Sequence, residues 1–195
     1  MALQVVTAIW GDAYGDDYVR AIRHQVPDIV VLGRDRALLE PTRYRGWWCK
    51  LETFRPENSD LRPCLFIDLD TFILGELAPL REVSNELWLI KNFNAPKKSN
   101  SGLFVAPATE LADKIWDGSR RMDTVTHGRG AGDGDYLARF AHRLLTDEFP
   151  DILSYKVNQL YESPKNARII CFHGKPKPHA TDGWAQQHWQ ELIHI

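Results

Sequence analysis

Cysteine is scarce in this chain: Cys49, Cys64 and Cys171 are all it has. Odd in number, without C-x-x-C spacing and set among apolar or aromatic neighbours, they read as reduced core thiols and carry no assigned chemistry. A positive excess is missing as well, since 24 Lys and Arg stand against 26 Asp and Glu, dispersed along the chain, for a net charge of −2. That leaves no basic footprint able to neutralise a nucleic-acid backbone, so nucleic acid is not an expected partner. No apolar run reaches the roughly 18 residues needed to span a bilayer. The start, MALQVVTAIWGD, lacks a basic segment followed by a long apolar one. The expectation is a soluble, cytoplasmic protein with no transmembrane segment. Repeats, low-complexity tracts and linkers are also lacking. What the chain does have is 195 residues, 44% of them hydrophobic, enough for a single domain over 1–195 with a real core.

LQVVTAI (3–9) reads as a buried strand, YVRAIRHQV as a helix ending before Pro27, and DIVVLG (28–33) as a second strand. This β–turn–α–β order with near-continuous apolar strands predicts an α/β fold, a mostly parallel central sheet flanked by helices. GWWCKLETF (46–54) reads as a short helix leading to CLFIDLD, and ELWLIK (86–91) and SGLFVAP (101–107) as further strands. LADKIWDGSRRM and GDYLARFAHRLL read as amphipathic helices, and ILSYKV and RIICF as late strands before HGKPKPH and a Trp-rich tail.

The stretch LFIDLDTFILG (65–75) sets two aspartates one residue apart between apolar runs. On a strand, residues i and i+2 share a face, so Asp68 and Asp70 would point the same way with Leu69 opposite. At about 5 Å and an effective dielectric near 20, two like charges repel by roughly 3 kcal/mol, and a bound cation would reverse that sign. The alternative is a strand-end turn in which both carboxylates accept backbone N–H bonds. Other polar motifs also follow strands: WGDAYGDD after the first, NSG after a later one, HGKPKP after the last. Each alone suits an ordinary turn. Together, at the carboxyl ends of strands where α/β sheets bind ligands, they bring aspartates, a histidine and lysines to one edge, as a metal-bound diphosphate requires.

These residues resemble the metal-dependent nucleotide-sugar glycosyltransferases of the GT-A fold, nearest to the glycogenin-like family 8, over most of the chain. TAIWGDAY resembles the family's first strand and nucleotide-binding turn, which implies that Tyr14 stacks on the base and that the backbone from Thr7 to Asp12, with Thr7, Ala8, Ile9 and Asp12 named as contacts, lines its pocket. DLD resembles the DxD motif, with Asp70 on the metal and Asp68 on metal or ribose. WCKLETF is similar to the family's K-L helix, making Lys50 a phosphate or donor-sugar contact, and NSG to its donor-sugar segment, bringing in Asn100 and Ser101. GDGDYL resembles the D-Q motif, matched at Asp133, with Asp135 as the fallback catalytic carboxylate or else a helix-start residue. FHGKPKP resembles H-x-x-G-x-x-K-P, implying His173 on the metal and Gly174, Lys175 and Lys177 at the diphosphate. The resemblance implies a UDP-sugar donor, a saccharide or other hydroxyl acceptor and a retaining hexosyl transfer. Hard oxygens plus one imidazole favour Mn²⁺, with Mg²⁺ possible.

Three positions depart from the family pattern. Aligned on K-P, His173 stands two places later than the family's histidine; His179 replaces its tryptophan and offers a competing ligand; Gly134 replaces its glutamine. Glycine offers no side-chain nucleophile, which favours a front-face transfer with Asp133 in an electrostatic role. Trp47 and Trp48 read either as a sugar platform or as packing. His24, His127 and His142 read as surface residues, and Arg120, Arg121 and Arg129 as a solvated loop or an anionic-acceptor contact. Two alternatives remain at this level: a catalytically silent nucleotide-sugar-binding module, and a haloacid-dehalogenase-like phosphohydrolase, whose D-x-D-x-T motif FIDLDT matches only superficially.

Overall fold

A computed structural model describes residues 2–12, 14–40, 43–121 and 132–194. His127 and Arg129 lie outside the described residues. Strand β1 (Gln4–Ala8), helix α1 (Asp16–Gln25) and strand β2 (Val30–Leu32) form the expected parallel unit, with Val6 opposite Val30. Two 3₁₀ helices, Gly46–Phe54 and Pro56–Leu61, lead to β3 (Cys64–Ile67). β4 (Thr71–Ile73), β5 (Trp88–Asn92) and β6 (Ala95–Ala106) follow. After them come α2 (Glu110–Arg120), α3 (Asp133–Leu137), β7 (Arg143–Leu144), α4 (Leu145–Glu148), β8 (Ile152–Ser154), β9 (Ile169–Cys171) and α5 (Gly183–Ile193).

Six strands form the central sheet in the order β2-β1-β3-β6-β5-β7; β4, β9 and β8 form a second, three-stranded sheet. β3 pairs in parallel with β1 but antiparallel with β6, and β6 returns antiparallel from β5. Successive residues of the inner strands enter opposite cores, as a period of two demands. Val5, Leu65 and Ile67 join α1 and α5 on one face, while Val6, Phe66 and Phe104 join the Gly46–Phe54 helix, α2 and α3 on the other. Both faces of the sheet are therefore covered, which is why its inner strands read as apolar runs.

Two expectations need correction, and one segment read without an element gains one. β3 ends at Ile67 and β4 begins at Thr71, so Asp68 and Asp70 occupy the link between the two sheets, not a strand, and the shared-face argument does not apply to them. GDYLARFAHRLL is not one helix: α3 stops at Leu137, and Arg143–Leu144 instead adds a short strand beside β5. The Trp-rich tail is helix α5, burying Ala185, Trp189 and Leu192 at the spacing of one helical face.

Candidate active site

Four chain segments meet at one end of the central sheet. The turn after β1 brings Trp10 and Tyr14, and the β3–β4 link brings Asp68 and Asp70. Because β6 runs antiparallel to β3, its middle delivers Asn100, Ser101 and Gly102, expected after a strand but lying within one, beside Asp68, whose N–H donates to the Gly102 carbonyl at 2.9 Å. The segment after β9 supplies His173, Gly174 and Lys177, and Gly174 adopts a left-handed φ of +72° that glycine takes without strain.

Two lysines organise the acids. Lys50, only 4% exposed, lies 2.8 Å from Asp68 Oδ1 and 3.2 Å from Asp133 Oδ2, and donates to the Ser101 carbonyl at 3.1 Å. Ser101 Oγ donates to the same Asp133 oxygen at 2.5 Å. Burial alone would pull the Lys50 ammonium down, but Asp133 and Asp68 outweigh it and hold the group firmly protonated. Lys177 donates to Asp70 Oδ2 and, at 2.9 Å, to the Tyr14 hydroxyl. About a third of the Asp68 side chain is open to the crevice (33%), with protein on its other sides. Burial pushes its carboxyl up to about 7; the Lys50 charge opposes this shift and the Asp70 charge adds to it. Burial, with Asp70 and Asp68, also drives the Tyr14 phenol far above its usual range.

The α3 helix packs closely on β6 at Gly134. A Cβ there would lie 3.3 Å from both Asn100 Cα and Ser101 N, so a side chain would require α3 or β6 to give by a few tenths of an ångström beside the Asp133–Ser101 contact.

Two adjoining cavities share Tyr14, Trp47, Lys50, Asp68, Gly174 and Lys177. One, about 250 Å³, is lined also by Asp70, Asn100, Ser101, Asp133 and His173. The other, about 510 Å³, has Ala8, Trp10, Cys49, Phe66 and Leu69 in its wall, together with Lys175. The expected DLD, Lys50, NSG, Asp133 and HGKPK residues thus do come together. Others do not. Thr7 and Ile9 are buried in the core, Asp12 is exposed and lines neither cavity, and Asp135 sits at the start of α3, where the Gly132 N–H reaches its carboxylate at 3.4 Å. His179 is turned to the Tyr18 hydroxyl at 2.6 Å and lines neither cavity. Trp48 is core, whereas Trp47 stands at the rim. Phe93 was not among the expected site residues, and Trp10 was expected only through the backbone of the Thr7 to Asp12 segment; the ring of Phe93 stacks on His173 at 5.5 Å, and neither side chain carries a local signal separating it from a packing aromatic.

Three carboxyl groups, Asp68, Asp70 and Asp133, face two ammonium groups in the smaller cavity. This surplus of hard oxygen donors fits a divalent ion. Among the described residues, however, no three His, Cys, Asp or Glu side chains are set to hold a metal between them, and His173 Nε2 is hydrogen-bonded to Ser154 Oγ at 2.6 Å. The donor set therefore suits an ion that shares its coordination with phosphate oxygens, as Mg²⁺ commonly does, better than an all-protein cage.

By sequence, no family model and no curated protein matches the chain. Solved structures do. The glycosyltransferase GlyE of Streptococcus pneumoniae TIGR4 aligns over 99% of this chain and 61% of its own, with a TM-score of 0.65 and 14% identity. An active-site mutant of LgtC aligns over 97% of this chain and 95% of its own, with a TM-score of 0.63 and 13% identity. The fold is that of the GT-A glycosyltransferases. A glycosyltransferase involved in glycosylation of the major capsid of PBCV-1 matches at full length on both sides, with a TM-score of 0.57 and 10% identity. The chain spans about three-fifths of GlyE (61%) but nearly all of LgtC (95%). The phosphohydrolase alternative finds no counterpart among these neighbours. No described helix is long and apolar enough to cross a membrane.

Proposed function

We propose that the protein transfers a hexose from a nucleoside-diphosphate sugar, UDP-linked, to a hydroxyl of a saccharide or other acceptor, with retention at the anomeric carbon. One observation carries this reading: an apolar cavity of about 510 Å³ adjoins a polar one of about 250 Å³, and the charged residues Asp68, Lys50 and Lys177 line both, forming what we call the neck. The apolar side suits a nucleoside, the polar side a sugar, and the charged neck a diphosphate.

Asp70 and Asp68 are the residues to hold a divalent cation, Mn²⁺ or Mg²⁺, which when bound supplies Lewis-acid charge to the leaving diphosphate. Lys177 stands at the neck with its ammonium on Asp70 and Tyr14, within reach of the same group, and offsets charge as the diphosphate departs. Lys175 lines the apolar side and adds to the positive field. Asn100 and Ser101 face the polar side, where their groups meet sugar hydroxyls. Lys50 fixes Asp68 and Asp133 to one another.

Asp133 has one carboxylate oxygen engaged by both Ser101 and Lys50, which makes it a fixed negative charge beside the sugar and a poor free nucleophile. Gly134 adds no other nucleophile. A front-face route needs none: the diphosphate leaves from the face by which the acceptor enters, and its oxygen takes the acceptor proton.

The test is a nucleotide-sugar panel with product detection, joined to calorimetry of UDP binding in Mn²⁺, in Mg²⁺ and in a chelator. Product from a UDP-hexose with tighter UDP binding in metal supports the reading. Equal UDP affinity in chelator removes the cation from it, and absence of product from every donor removes the activity.

A further inference from the structure

A third cavity, of about 350 Å³, has Tyr155, Lys156, Tyr161, Pro176 and Asp182 in its wall. It meets the 173–177 segment from another side, since Pro176 faces it while Gly174, Lys175 and Lys177 face the two cavities of the candidate active site. A Cβ on Gly174 would lie 3.6 Å from Lys156 Nζ, so Lys156 reaches from this cavity to the edge of the catalytic one.

In the candidate active site the charged groups answer one another; here they do not. Tyr155 is only 7% exposed and its ring stacks on Phe172 at 4.7 Å, yet its hydroxyl has no hydrogen-bond partner among the described residues. A polar group taken out of water without a partner costs stability unless something in the cavity meets it. Asp182 precedes α5, but its carboxylate does not cap the helix, and among the described residues neither it nor the Lys156 ammonium makes an ion pair. Burial raises the Tyr155 phenol and the Asp182 charge adds to the shift, which sets that carboxylate near the open hydroxyl.

Tyr161, 73% exposed, completes the wall. Its loop is held at both ends: the Val157 N–H donates to Ser154 Oγ at 3.1 Å, and Trp184 Nε1 donates to the Leu160 carbonyl at 2.9 Å. Between them Gln159 takes a φ of +52°, the only left-handed non-glycine residue among those described, and its carbonyl accepts from the Tyr161 N–H at 2.8 Å. A fixed backbone therefore presents a tyrosine whose ring no aromatic or cationic contact engages among the described residues. A saccharide matches this wall, with a face of C–H groups for the ring and an edge of hydroxyls that donate to a carboxylate and accept from an ammonium or a phenol. A phosphate would meet the Asp182 carboxylate, and a wholly apolar ligand would strand both charges.

We propose that this cavity is a second saccharide subsite, which holds an outlying sugar unit of an oligosaccharide acceptor while the reacting unit occupies the polar cavity beyond Gly174. Tyr161 stacks on the sugar face, and Asp182, Lys156 and the Tyr155 hydroxyl bind its hydroxyl groups. The acceptor role rests on the sugar-transfer reading above; the binding of a saccharide does not.

The experiment measures binding of neutral α- and β-linked gluco-, galacto- and manno-disaccharides by ligand-observed NMR and calorimetry, without donor or metal. The proteins are the wild type, Tyr161→Ala, Tyr161→Phe and Tyr155→Phe, each also melted and titrated with UDP in Mn²⁺. Tyr161 is exposed, so unchanged melting midpoints in its variants are expected and report an intact fold. At least one disaccharide should bind the wild type. Tyr161→Ala should weaken it by about tenfold or more and Tyr161→Phe by less than about threefold, while Tyr155→Phe should cost about threefold to tenfold, the scale of one hydrogen bond. UDP affinity should stay within about twofold in every variant, since neither tyrosine lines the catalytic cavities. A wild type that binds none of the disaccharides, or a Tyr161→Ala variant that binds them equally well, overturns the subsite and leaves the transfer reading standing. Loss of UDP and disaccharide binding together in Tyr161→Ala overturns it as a separate site. Disaccharide binding through Tyr161 in a protein that binds no UDP supports the subsite and removes the donor reading instead.

Discussion

Replacing Lys50 by methionine keeps the length of the side chain and removes its charge. The ammonium is the shared partner of Asp68 Oδ1 at 2.8 Å, Asp133 Oδ2 at 3.2 Å and the Ser101 carbonyl at 3.1 Å, so its loss leaves two carboxylates and a carbonyl without their donor. Removing one partner of a buried ion pair costs about 3–5 kcal/mol. Asp68 keeps a third of its side chain in solvent (33%) and Asp133 only 9%, so the lower end applies, about 3 kcal/mol. For a chain of this length that lowers the melting midpoint by roughly 6–12 °C. The assay is urea unfolding at pH 8, with Lys114→Met as the control, since Lys114 is 70% exposed and its pairing with Glu110 contributes little. Adding Asp133→Asn to Lys50→Met should recover part of the loss, because it removes one of the stranded charges. A Lys50→Met variant within about 1 kcal/mol of wild type, at an unchanged slope, would refute the view that this lysine holds the site together.

Asp133→Asn should leave UDP binding within about threefold and lower transfer by roughly a hundredfold, the scale of one catalytic electrostatic group; turnover near wild type removes Asp133 from the mechanism. Gly134→Ala should destabilise by about 1 kcal/mol, because two of the contacts its Cβ would meet at 3.3 Å are backbone atoms of the inner strand β6, which must give by a few tenths of an ångström; an unchanged melt would show that α3 or β6 is free to shift. Burial pushes the Cys49 and Cys64 thiols up to about 12 and Cys171 still further, so none should react with a thiol reagent at pH 8 until urea unfolds the chain. Burial also lowers the pKa of His188, whose Nε2 is enclosed with no hydrogen-bond partner. The unfolded chain then takes up the proton first, so this contribution to stability is present above about pH 6.5 and is lost as the pH falls through it. His188→Phe should flatten the decline in melting temperature between pH 7.5 and 5.5, and an unaltered decline would discount the residue.

The parts of the fold legible in the sequence are those where local pattern and tertiary fate agree. LQVVTAI and DIVVLG are apolar because the sheet is covered on both faces, and each surfaces as β1 or β2 within two residues. GDYLARFAHRLL misleads because a helical pattern competes with the open edge of β5, and the edge wins: Arg143 N–H donates to the Leu87 carbonyl at 3.0 Å, and His142 is drawn to Ser99 Oγ at 2.8 Å. The α5 helix had its signal in Ala185, Trp189 and Leu192, but its three-residue framework of apolar positions is diluted by glutamines and a histidine. The 3₁₀ character of 46–54 has no sequence mark, since a short apolar helix reads alike in either form.

The site was legible for a different reason. Asp68 and Asp70 were expected together because of strand geometry, and they are together without it: the carboxylates line one cavity because the chain changes sheets between Ile67 and Thr71. Their repulsion favours nearby positive charge whatever backbone carries them, and in the structure Lys50 and Lys177 supply it. Sequence could not say which cation. Lys50 lies 18 residues from Asp68 and Lys177 lies 107 from Asp70, and only folding pairs them. With each aspartate already met by an ammonium group, a diphosphate entering the neck competes for Lys177 just as a divalent ion competes for Asp70. The two exchanges would favour each other, since Lys177, once off the carboxylate, would be free to offset phosphate charge, and Asp70 would be one of the residues to hold a cation there. Metal and nucleotide are thus expected to bind with positive cooperativity, each raising affinity for the other by the same factor.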